Sequence, residues 1–410
     1  MAEFPPVRDQ MERVLRGAEE AIPEEELAEK IERSRSTGTP LTVKQGFDPT
    51  RPDLHIGHAV SLHKLRDFQE LGHRVVFVIG DFTARIGDPS GRDETRPVLS
   101  EEEVRENLAT YRDQVYRILD PGETVIRQNS QWLAGLDLED VLELTSQVTV
   151  ARMLERDDFA TRYEEGRPIS LHEFVYPIMQ GYDSVELDAD VELGGTDQRF
   201  NLLLARTLQE RFGQDPQVCL IMPLLRGTDG DRKMSKSYDN YIGLTMEPEE
   251  MFGRAMSIPD RLLEEWIRLA IDVPPERRER ESERAGEDPL AVKRWLARRL
   301  VARYHSQEDA AEAEEAFDRV HRHGDVPEDV PEYTAEADAD TGTLWIGYAL
   351  QQTELAPSTS KAIRLLEQGG VRVDGDVVED DDRQLPPGEY LLRRGKRGFA
   401  RLEVRQPSGP

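Results

Sequence analysis

The sequence is short of cysteine and of long apolar runs. Cys219 is the only cysteine in 410 residues, which excludes an intrachain disulfide and is consistent with a reducing cytoplasm. Apolar runs such as residues 75–79 (VVFVI) have the length of a buried strand and fall far short of the ~20 residues that span a membrane. The N-terminus has no basic segment followed by an apolar one, so a secretory signal is not predicted. We therefore expect a cytoplasmic protein that does not enter a membrane.

Lysine is also scarce, whereas acidic residues are abundant. Only eight lysines stand among the 53 basic residues, and 82 acidic residues bring the net charge to −29. Such a surface repels a polyanion at long range, so composition alone argues against a nucleic-acid partner. Clustered arginines, and the screening of charge in a saline cytoplasm, both weaken that argument. A saline habitat and simple solubility remain open as explanations of the acidity.

The first half of the chain alternates between strand and helix patterns. The length of the whole chain predicts two or three domains, and its content of 37% hydrophobic residues suffices for packed cores. The predicted strands cover residues 41–47, 75–79, 191–193 and 218–225, and the predicted helices cover residues 9–34, 55–71 and 200–212 and a further stretch beginning at Ser100, which with Glu103 has capping-box spacing. This alternation predicts a parallel α/β sheet, which binds ligands at the carboxyl ends of its strands.

The second half of the chain lacks this alternation of strand and helix patterns. Residues 248–320 are charged and helical in pattern, and residues 327–340 (PEDVPEYTAEADAD) are acidic and contain proline, which predicts a linker. Residues 343–404 combine a helical segment with short strands and a turn at Asp374-Gly375. We expect a separate small domain at this end of the chain.

Two short motifs carry chemistry. His55-Ile56-Gly57-His58 lies at the start of a predicted helix, where backbone N–H groups, two imidazoles and a glycine allow a phosphate chain to approach. Residues 233–237 (KMSKS) lie in a Gly/Asp-rich loop, and their two lysines are a quarter of all lysines in the chain. Flexible ammonium groups stabilise charge that develops on a departing phosphate. The alternatives are packed or solvated histidines for the first motif and a solvated basic loop for the second.

Together, and in this order, the two motifs resemble the signatures of class I aminoacyl-tRNA synthetases. Tyr176, Gln180 and Asp183 are spaced to share one face of a helix, and the segment Gly194–Gln198 follows a predicted strand. These segments resemble the substrate helix and ribose loop of the tyrosyl-tRNA synthetases. A packed aromatic and a surface acid are the alternatives for Tyr176 and Asp183.

The resemblance implies a role for each matching residue. Tyr176, Gln180 and Asp88 would hold the tyrosine ammonium, Asp183 the phenol hydroxyl and Gln198 the carboxylate. The nucleotide would contact Gly57, Gly195, Asp197, Met234, Ser235 and Lys236. The catalytic set would be Thr50, His55, His58, Lys233 and Lys236. In the loop at residues 87–96, Arg92 and Arg96 would meet pyrophosphate and the tRNA end.

One position departs from many members of the family. Where these have a tyrosine immediately after the first strand, as a second contact to the substrate hydroxyl, this chain has Lys44, followed by Gln45. The sequence resembles a second bacterial branch with this feature. Recognition of the phenol would then rest more heavily on Asp183.

The C-terminal segment resembles the S4 RNA-binding domain. Residues 355–375 contain its Ser-x-Ser-Lys-Ala start and its Val-x-Val-Asp-Gly turn. A local basic face can bind phosphates although the whole chain is acidic. The residues expected to contact tRNA are Lys361, Arg364, Arg372, Arg394 and Lys396. The alternative is a small solvated appendage.

The combined prediction is a Rossmann-like parallel-sheet catalytic domain, a helical anticodon-binding domain and an α+β S4 domain. Their expected bounds are residues 1–225, the KMSKS loop at 226–246, 247–326, a linker at 327–342, and 343–410. The resemblance implies a homodimer that joins L-tyrosine to tRNA(Tyr), using ATP whose Mg²⁺ is carried by the nucleotide, without a dedicated protein metal site. The alternatives are a tryptophanyl enzyme, a non-catalytic RNA-binding protein on the same scaffold, and a nucleotidyltransferase.

Overall fold

The structure, a computed structural model, describes residues 4–50, 53–90, 100–319, 330–339, 341–378, 380–395 and 398–406. The chain divides into two compact units, residues 1–310 and 311–410. Among the described residues, no helix combines the length and the apolar character needed to cross a membrane.

The first unit contains one sheet with helices around it. Its strands are β1 (Glu20–Ile22), β2 (Thr42–Phe47), β3 (Arg74–Ile79), β4 (Thr124–Gln128), β5 (Val191–Gly195) and β6 (Val218–Met222). Its helices, in chain order, are α1 (Val7–Leu15), α2 (Glu24–Thr37), α3 (Ile56–Glu70), α4 (Thr83–Ile86), α5 (Glu101–Val115), α6 (Ser130–Leu133), α7 (Leu138–Ser146), α8 (Val150–Met153), α9 (Asp157–Glu164), α10 (Leu171–Leu187), α11 (Arg199–Arg211), α12 (Pro248–Met256), α13 (Leu263–Leu269), α14 (Pro275–Glu287) and α15 (Pro289–Tyr304). Helix α16 (Gln307–Asp318) runs across the boundary between the units.

The strand order β1-β6-β5-β2-β3-β4 is that of a crossed-over, mainly parallel sheet, as predicted. Strands β2 to β6 pair in parallel, and only the edge strand β1 is antiparallel to its neighbour β6. The order reverses at β2, which lies between β3 and β5, so the carboxyl ends of these strands open a crevice. Helices α10 and α11 cover the sheet beside it, with Ile178, Met179 and Leu208 in the core.

Two of the predicted elements need correction in this unit. Residues 9–34 do not form one helix, because Gly17 adopts a left-handed conformation (φ 82°) and Pro23 is extended at the residue before α2. Two helices and the strand β1 replace it. The last apolar strand ends at Met222 rather than Leu225, because Pro223 has no N–H to donate to the sheet.

The second unit has its own sheet and core. Its elements are β7 (Glu332–Glu336), β8 (Leu344–Trp345), α17 (Ile346–Gln352), α18 (Thr359–Glu367), β9 (Val371–Val373), β10 (Asp376–Val377), β11 (Gln384–Leu385), β12 (Gly388–Arg394) and β13 (Gly398–Arg405). The sheet order is β10-β9-β12-β13-β7, and β11 pairs with β8. The predicted turn at Asp374-Gly375 is confirmed, with both residues at positive φ between β9 and β10.

The predicted linker is in part a strand. Strand β7 pairs in parallel with β13, with Glu332 beside Arg401 and Glu336 beside Arg405. Its acidic residues face solvent, while Tyr333 and Ala335 alternate with them and pack on the core of this unit. The acidic composition concealed this alternation with a period of two.

Candidate active site

The crevice at the carboxyl ends of the parallel strands is a cleft of about 1150 Å³. Its walls come from β2, β5, α3, α10 and the loop after β6. The residues that line it include Thr50, His55, Gly57, His58, Asp88, Tyr176, Gln180, Asp183, Gly195, Asp197, Gln198, Lys233, Met234, Ser235 and Lys236. Residues far apart in the sequence therefore meet in one place.

The first signature opens helix α3. His55 is extended and precedes the helix, and its backbone N–H donates to His58 Nδ1 at 3.3 Å. The two rings stack with centroids 3.7 Å apart. Burial lowers the pKa of His58 to about 4 and lowers that of His55 well below its usual value, with Lys233 adding to both effects. Both imidazoles are therefore neutral at pH 7, and the buried His55 Nδ1 has no hydrogen-bond partner among the described atoms.

Gly57 keeps the space above these rings open. A Cβ at this position would lie 3.0 Å from the His55 ring and 3.4 Å from Met234 Cβ. Any side chain would therefore crowd the His55 ring. The absence of a side chain leaves open space beside the N-terminus of α3.

The second signature is held against the first by the backbone. Ile56 N–H donates to Ile242 O at 2.9 Å, and Leu244 N–H donates to Leu54 O at 3.0 Å. Buried Asn240 fixes the KMSKS loop, because its Oδ1 accepts from Ser235 N–H at 2.8 Å. The spacing between the two signatures is thus set by main-chain hydrogen bonds.

Both lysines of the loop are paired with carboxylates in the cleft. Lys233 Nζ lies 2.7 Å from Asp197 Oδ2, and Lys236 Nζ contacts Asp53 Oδ2. Lys236 also lies over the ring of Tyr241. These ammonium groups are partly exposed, so an incoming anion can compete for them.

Deeper in the cleft lies the buried carboxylate of Asp183. Trp132 Nε1–H donates to its Oδ1 at 2.8 Å, and Asn129 Nδ2–H donates to its Oδ2 at 3.3 Å. Burial raises the pKa of Asp183 to about 7, although Lys44 and these two donors oppose the rise. Tyr176 lies on the same helix, and its hydroxyl donates to Asp48 Oδ2 at 2.9 Å.

The raised pKa of Asp183 predicts how stability changes with pH. The folded protein keeps a proton on Asp183 up to about pH 7, whereas the unfolded chain releases it near 3.8. The contribution of this proton to folding is therefore fully present below about pH 4 and is lost as the pH rises through about 7. We expect the urea midpoint to fall between pH 5 and 8 more steeply for the parent protein than for Asp183→Asn. Parallel pH profiles for the two proteins would contradict this prediction.

Asp88, Gln180 and Gln198 are joined in one hydrogen-bonded network. Gln198 Nε2–H donates to Asp88 Oδ2 at 2.8 Å. Asn201 Nδ2–H donates to Gln180 Oε1 at 2.9 Å and to Gln198 Oε1 at 3.0 Å. Arg156 Nη2 lies 3.7 Å from Asp88 Oδ1. Polar groups are thus fixed in place around the end of the cleft that adjoins Asp183.

The match with known protein families covers most of the chain. The family described as class I tRNA synthetases (W and Y) matches residues 36–322, and the S4 domain matches residues 348–389. The tyrosine–tRNA ligase of Salinibacter ruber is 53% identical over 404 residues, which are 97% of each chain. That of Moorella thermoacetica is 51% identical, over 97% of this chain and 96% of the relative.

The chain belongs to the tyrosyl-tRNA synthetases.

Solved structures of tyrosyl-tRNA synthetases share the fold of this chain. A tyrosyl-tRNA synthetase from Archaeoglobus fulgidus, complexed with L-tyrosine, superposes with a TM-score of 0.62 at 26% identity, over 75% of this chain and 99% of that one. A truncated mitochondrial tyrosyl-tRNA synthetase from Aspergillus nidulans has the same TM-score at 21% identity, over 76% of this chain and 94% of that one, and so shows the shared fold. The predicted Rossmann-like fold with a separate S4 sheet is confirmed for this chain.

Several residues that contact the predicted cleft residues escaped the sequence analysis. They belong to no recognised spacing and are Asp48, Asn129, Trp132, Arg156 and Asn201. Asp48 alone had a usable signal, because the turn-forming residues Asp48-Pro49-Thr50 directly follow the first predicted strand.

The remaining predicted residues lie elsewhere. Lys44 lies within strand β2 rather than after a strand, because β2 continues to Phe47. Lys361, Arg364, Arg372 and Arg394 are exposed in the second unit. Arg92, Arg96 and Lys396 lie outside the described residues.

Proposed function

We propose that this chain activates L-tyrosine with ATP and transfers the tyrosyl group to the 3′ end of tRNA(Tyr). The observation that carries the proposal is that one cleft unites the His55–His58 and KMSKS signatures with the buried Asp183. A nucleotide polyphosphate fits the first part of this cleft, and a phenol hydroxyl fits the second. The names of the relatives support the same reaction.

In the first step the tyrosine carboxylate attacks the α-phosphate of ATP. A bond forms between a carboxylate oxygen and phosphorus, the bond to the bridging oxygen breaks, and pyrophosphate leaves. The substrate supplies the nucleophile, so the protein contributes positioning and charge stabilisation. Lys233 and Lys236 exchange their carboxylate partners for the departing phosphates, while Mg²⁺ arrives on the nucleotide.

The neutral histidines suit this role. With their pKa values lowered, His55 and His58 act as hydrogen-bonding groups and not as cations. We assign His55 and Thr50 to the departing phosphates and His58 to the nucleotide. Arg92 and Arg96 would meet pyrophosphate and the tRNA end, and Gly195 and Asp197 would meet the ribose.

The other end of the cleft recognises tyrosine. Asp183 accepts from the phenol hydroxyl, since a buried carboxylate with fixed neutral donors presents a specific acceptor. Tyr176, Gln180 and Asp88 hold the ammonium group, and Gln198 lies near the carboxylate. The relatives are named tyrosine–tRNA ligases, which favours tyrosine over tryptophan as the amino acid held here.

In the second step a terminal ribose hydroxyl of tRNA attacks the tyrosyl carbonyl, and AMP leaves. We assign the helices within residues 247–326 to the anticodon and the S4 unit to the tRNA body. Lys361 and Arg364 stand three residues apart on α18, both exposed. They can therefore contact neighbouring phosphates.

Removing these two charges separates tRNA binding from tyrosine activation. For Lys361→Ala/Arg364→Ala we expect weaker tRNA binding and a slope of log K against log salt that is smaller by about 1.4–1.8, because each lost phosphate contact accounts for about 0.7–0.9. ATP–pyrophosphate exchange should not change. An unaltered salt slope in filter binding would contradict the assignment.

Exposed apolar side chains support a homodimer. Within the described residues, the segment from α7 to the start of α10 exposes Leu138, Leu142, Val150, Tyr163 and Leu171. A concentration of exposed apolar surface marks an interaction site. The occupant that we propose is a second copy of this chain.

Charge placed on this segment should dissociate the dimer. Leu142→Arg/Leu171→Arg is expected to sediment as a monomer at concentrations where the parent is a dimer, because the interface would bury unpaired charges. Leu290→Arg, at an exposed leucine on α15, is the matched control and should remain dimeric. A monomeric parent protein would exclude the proposal.

The experiment that tests the proposed function as a whole is aminoacylation of tRNA with labelled tyrosine. Tyrosyl-tRNA formation that requires ATP and tRNA(Tyr) is the expected result. A protein that binds the tRNA but never charges it would fit the non-catalytic RNA-binding alternative instead.

A further inference from the structure

A buried ion pair lies beneath the tyrosine end of the cleft. Lys44 on β2 and Glu192 on β5 are register partners in the sheet, and Lys44 Nζ lies 3.0 Å from Glu192 Oε1. Each side chain is only 1% exposed. Lys44 does not line the cleft, so it acts through its neighbours.

Stability alone is a poor reason for this pair. Removing two charges from water is costly, and apolar replacements of buried pairs are often neutral or stabilising. A buried ion pair beside a binding site is therefore better explained by the groups that it holds in position.

The pair holds one turn of helix α10. Lys44 Nζ–H donates to the backbone oxygen of Gln180 at 3.4 Å. Glu192 accepts from Gln180 Nε2–H and from Ser184 Oγ–H, each at 3.2 Å. Gln217 Nε2 also donates to Glu192 at the other side. Lys44 thus holds the main chain of Gln180, and Glu192 holds its side chain.

Asp183 lies within the same turn, and the two charges act on it in opposite directions. Lys44 lowers the pKa of Asp183, whereas Glu192 raises it. From the segment after β4, Asp183 faces only the neutral donors Asn129 and Trp132. Asn129 also donates to the hydroxyl of Thr83, which in turn donates to the carboxylate of Asp48.

We propose that the Lys44–Glu192 ion pair is a positioning element for tyrosine binding, which holds the turn of α10 that carries Gln180 and Asp183. This inference rests on the proposed function, because it gives Asp183 and Gln180 their substrate contacts.

Two single variants make the inference testable, because they remove opposite charges. Lys44→Met raises the pKa of Asp183, and Glu192→Gln lowers it while Asp183 remains as the counter-charge of Lys44. The pH profile of tyrosine binding, measured by calorimetry from pH 5 to 9, should shift by about one pH unit to the alkaline side in the first and to the acid side in the second. Loss of structure alone would move both in the same direction.

The double variant Lys44→Met/Glu192→Gln guards against misfolding, because neither charge is left unpaired. It should raise KM for tyrosine by about tenfold and leave KM for ATP unchanged, since the contacts to Gln180 weaken. The matched control is Arg162→Met, which breaks another buried ion pair, 2.6 Å long, between Arg162 on α9 and Glu173 on α10. The control should leave both the pH profile and KM for tyrosine as in the parent.

The outcomes distinguish this inference from the proposed function. A parent protein without tyrosine-dependent exchange would overturn both. A parent that is active, with single variants whose pH profiles coincide or shift together, would overturn the inference alone. Opposite shifts, with KM for tyrosine raised in the double variant and unchanged in the control, would establish it.

Discussion

Replacing Lys236 with alanine is expected to slow tyrosine-dependent ATP–pyrophosphate exchange by about 100- to 1000-fold, as for the loss of one preorganised group that stabilises transition-state charge. The dissociation constant of tyrosine should remain within about twofold, because Lys236 lines the part of the cleft that we propose holds the nucleotide. The measurement is steady-state exchange combined with equilibrium binding of labelled tyrosine.

The matched control for this substitution is Lys293→Ala. Lys293 also pairs with one aspartate, Asp260, but lies on α15 outside the cleft lining. Its removal should leave exchange close to the parent rate. Equal losses of exchange and of tyrosine binding in Lys236→Ala would mean that the loop is structural and not catalytic.

Replacing Asp183 with alanine is expected to lower the preference for tyrosine over phenylalanine by about 10- to 100-fold. A hydrogen bond to a charged group contributes about 1.5–3 kcal/mol, and its loss leaves the phenol hydroxyl without an acceptor. Trp132 and Asn129 would also lose their partner. The ratio of kcat/KM for the two amino acids in pyrophosphate exchange measures the effect.

Glu186→Ala provides the control for that prediction. Glu186 is an exposed acid on the same helix, outside the cleft lining, so its removal changes the helix charge equally. The selectivity of this variant should match that of the parent. Unchanged discrimination in Asp183→Ala would refute the assignment of Asp183 to the phenol.

The sequence predicted those parts of the site that depend on local pattern. The two signatures and the Tyr176, Gln180 and Asp183 spacing are each confined to a few residues, and helical geometry brings the three to one face. All of them line the cleft. Their roles toward substrate remain proposals.

The remainder depends on tertiary contacts that no local pattern reveals. Trp132 and Asn129 reach Asp183 only because the segment after β4 packs beside α10. Glu192 lies opposite Lys44 only because β5 pairs with β2. A single lysine in a strand pattern does not reveal which residue it pairs with. The sequence therefore showed that Lys44 departs from many members of the family, but not which residues it contacts.

Strand β7 was not predicted from the sequence, although its pattern is local. Its exposed glutamates dominate the composition, and the small Tyr333 and Ala335 face is too short to stand out. The composition of β7 reflects its solvent-exposed side chains. Whether these residues form a strand depends on their pairing with β13 and their packing on the core.

The most direct test of the central claim is ATP–pyrophosphate exchange with each of the twenty amino acids, without tRNA. The account predicts exchange with tyrosine alone. Exchange with tryptophan would keep the class of enzyme and contradict the assignment of the pocket, and no exchange with any amino acid at any salt concentration would contradict the proposed catalysis itself.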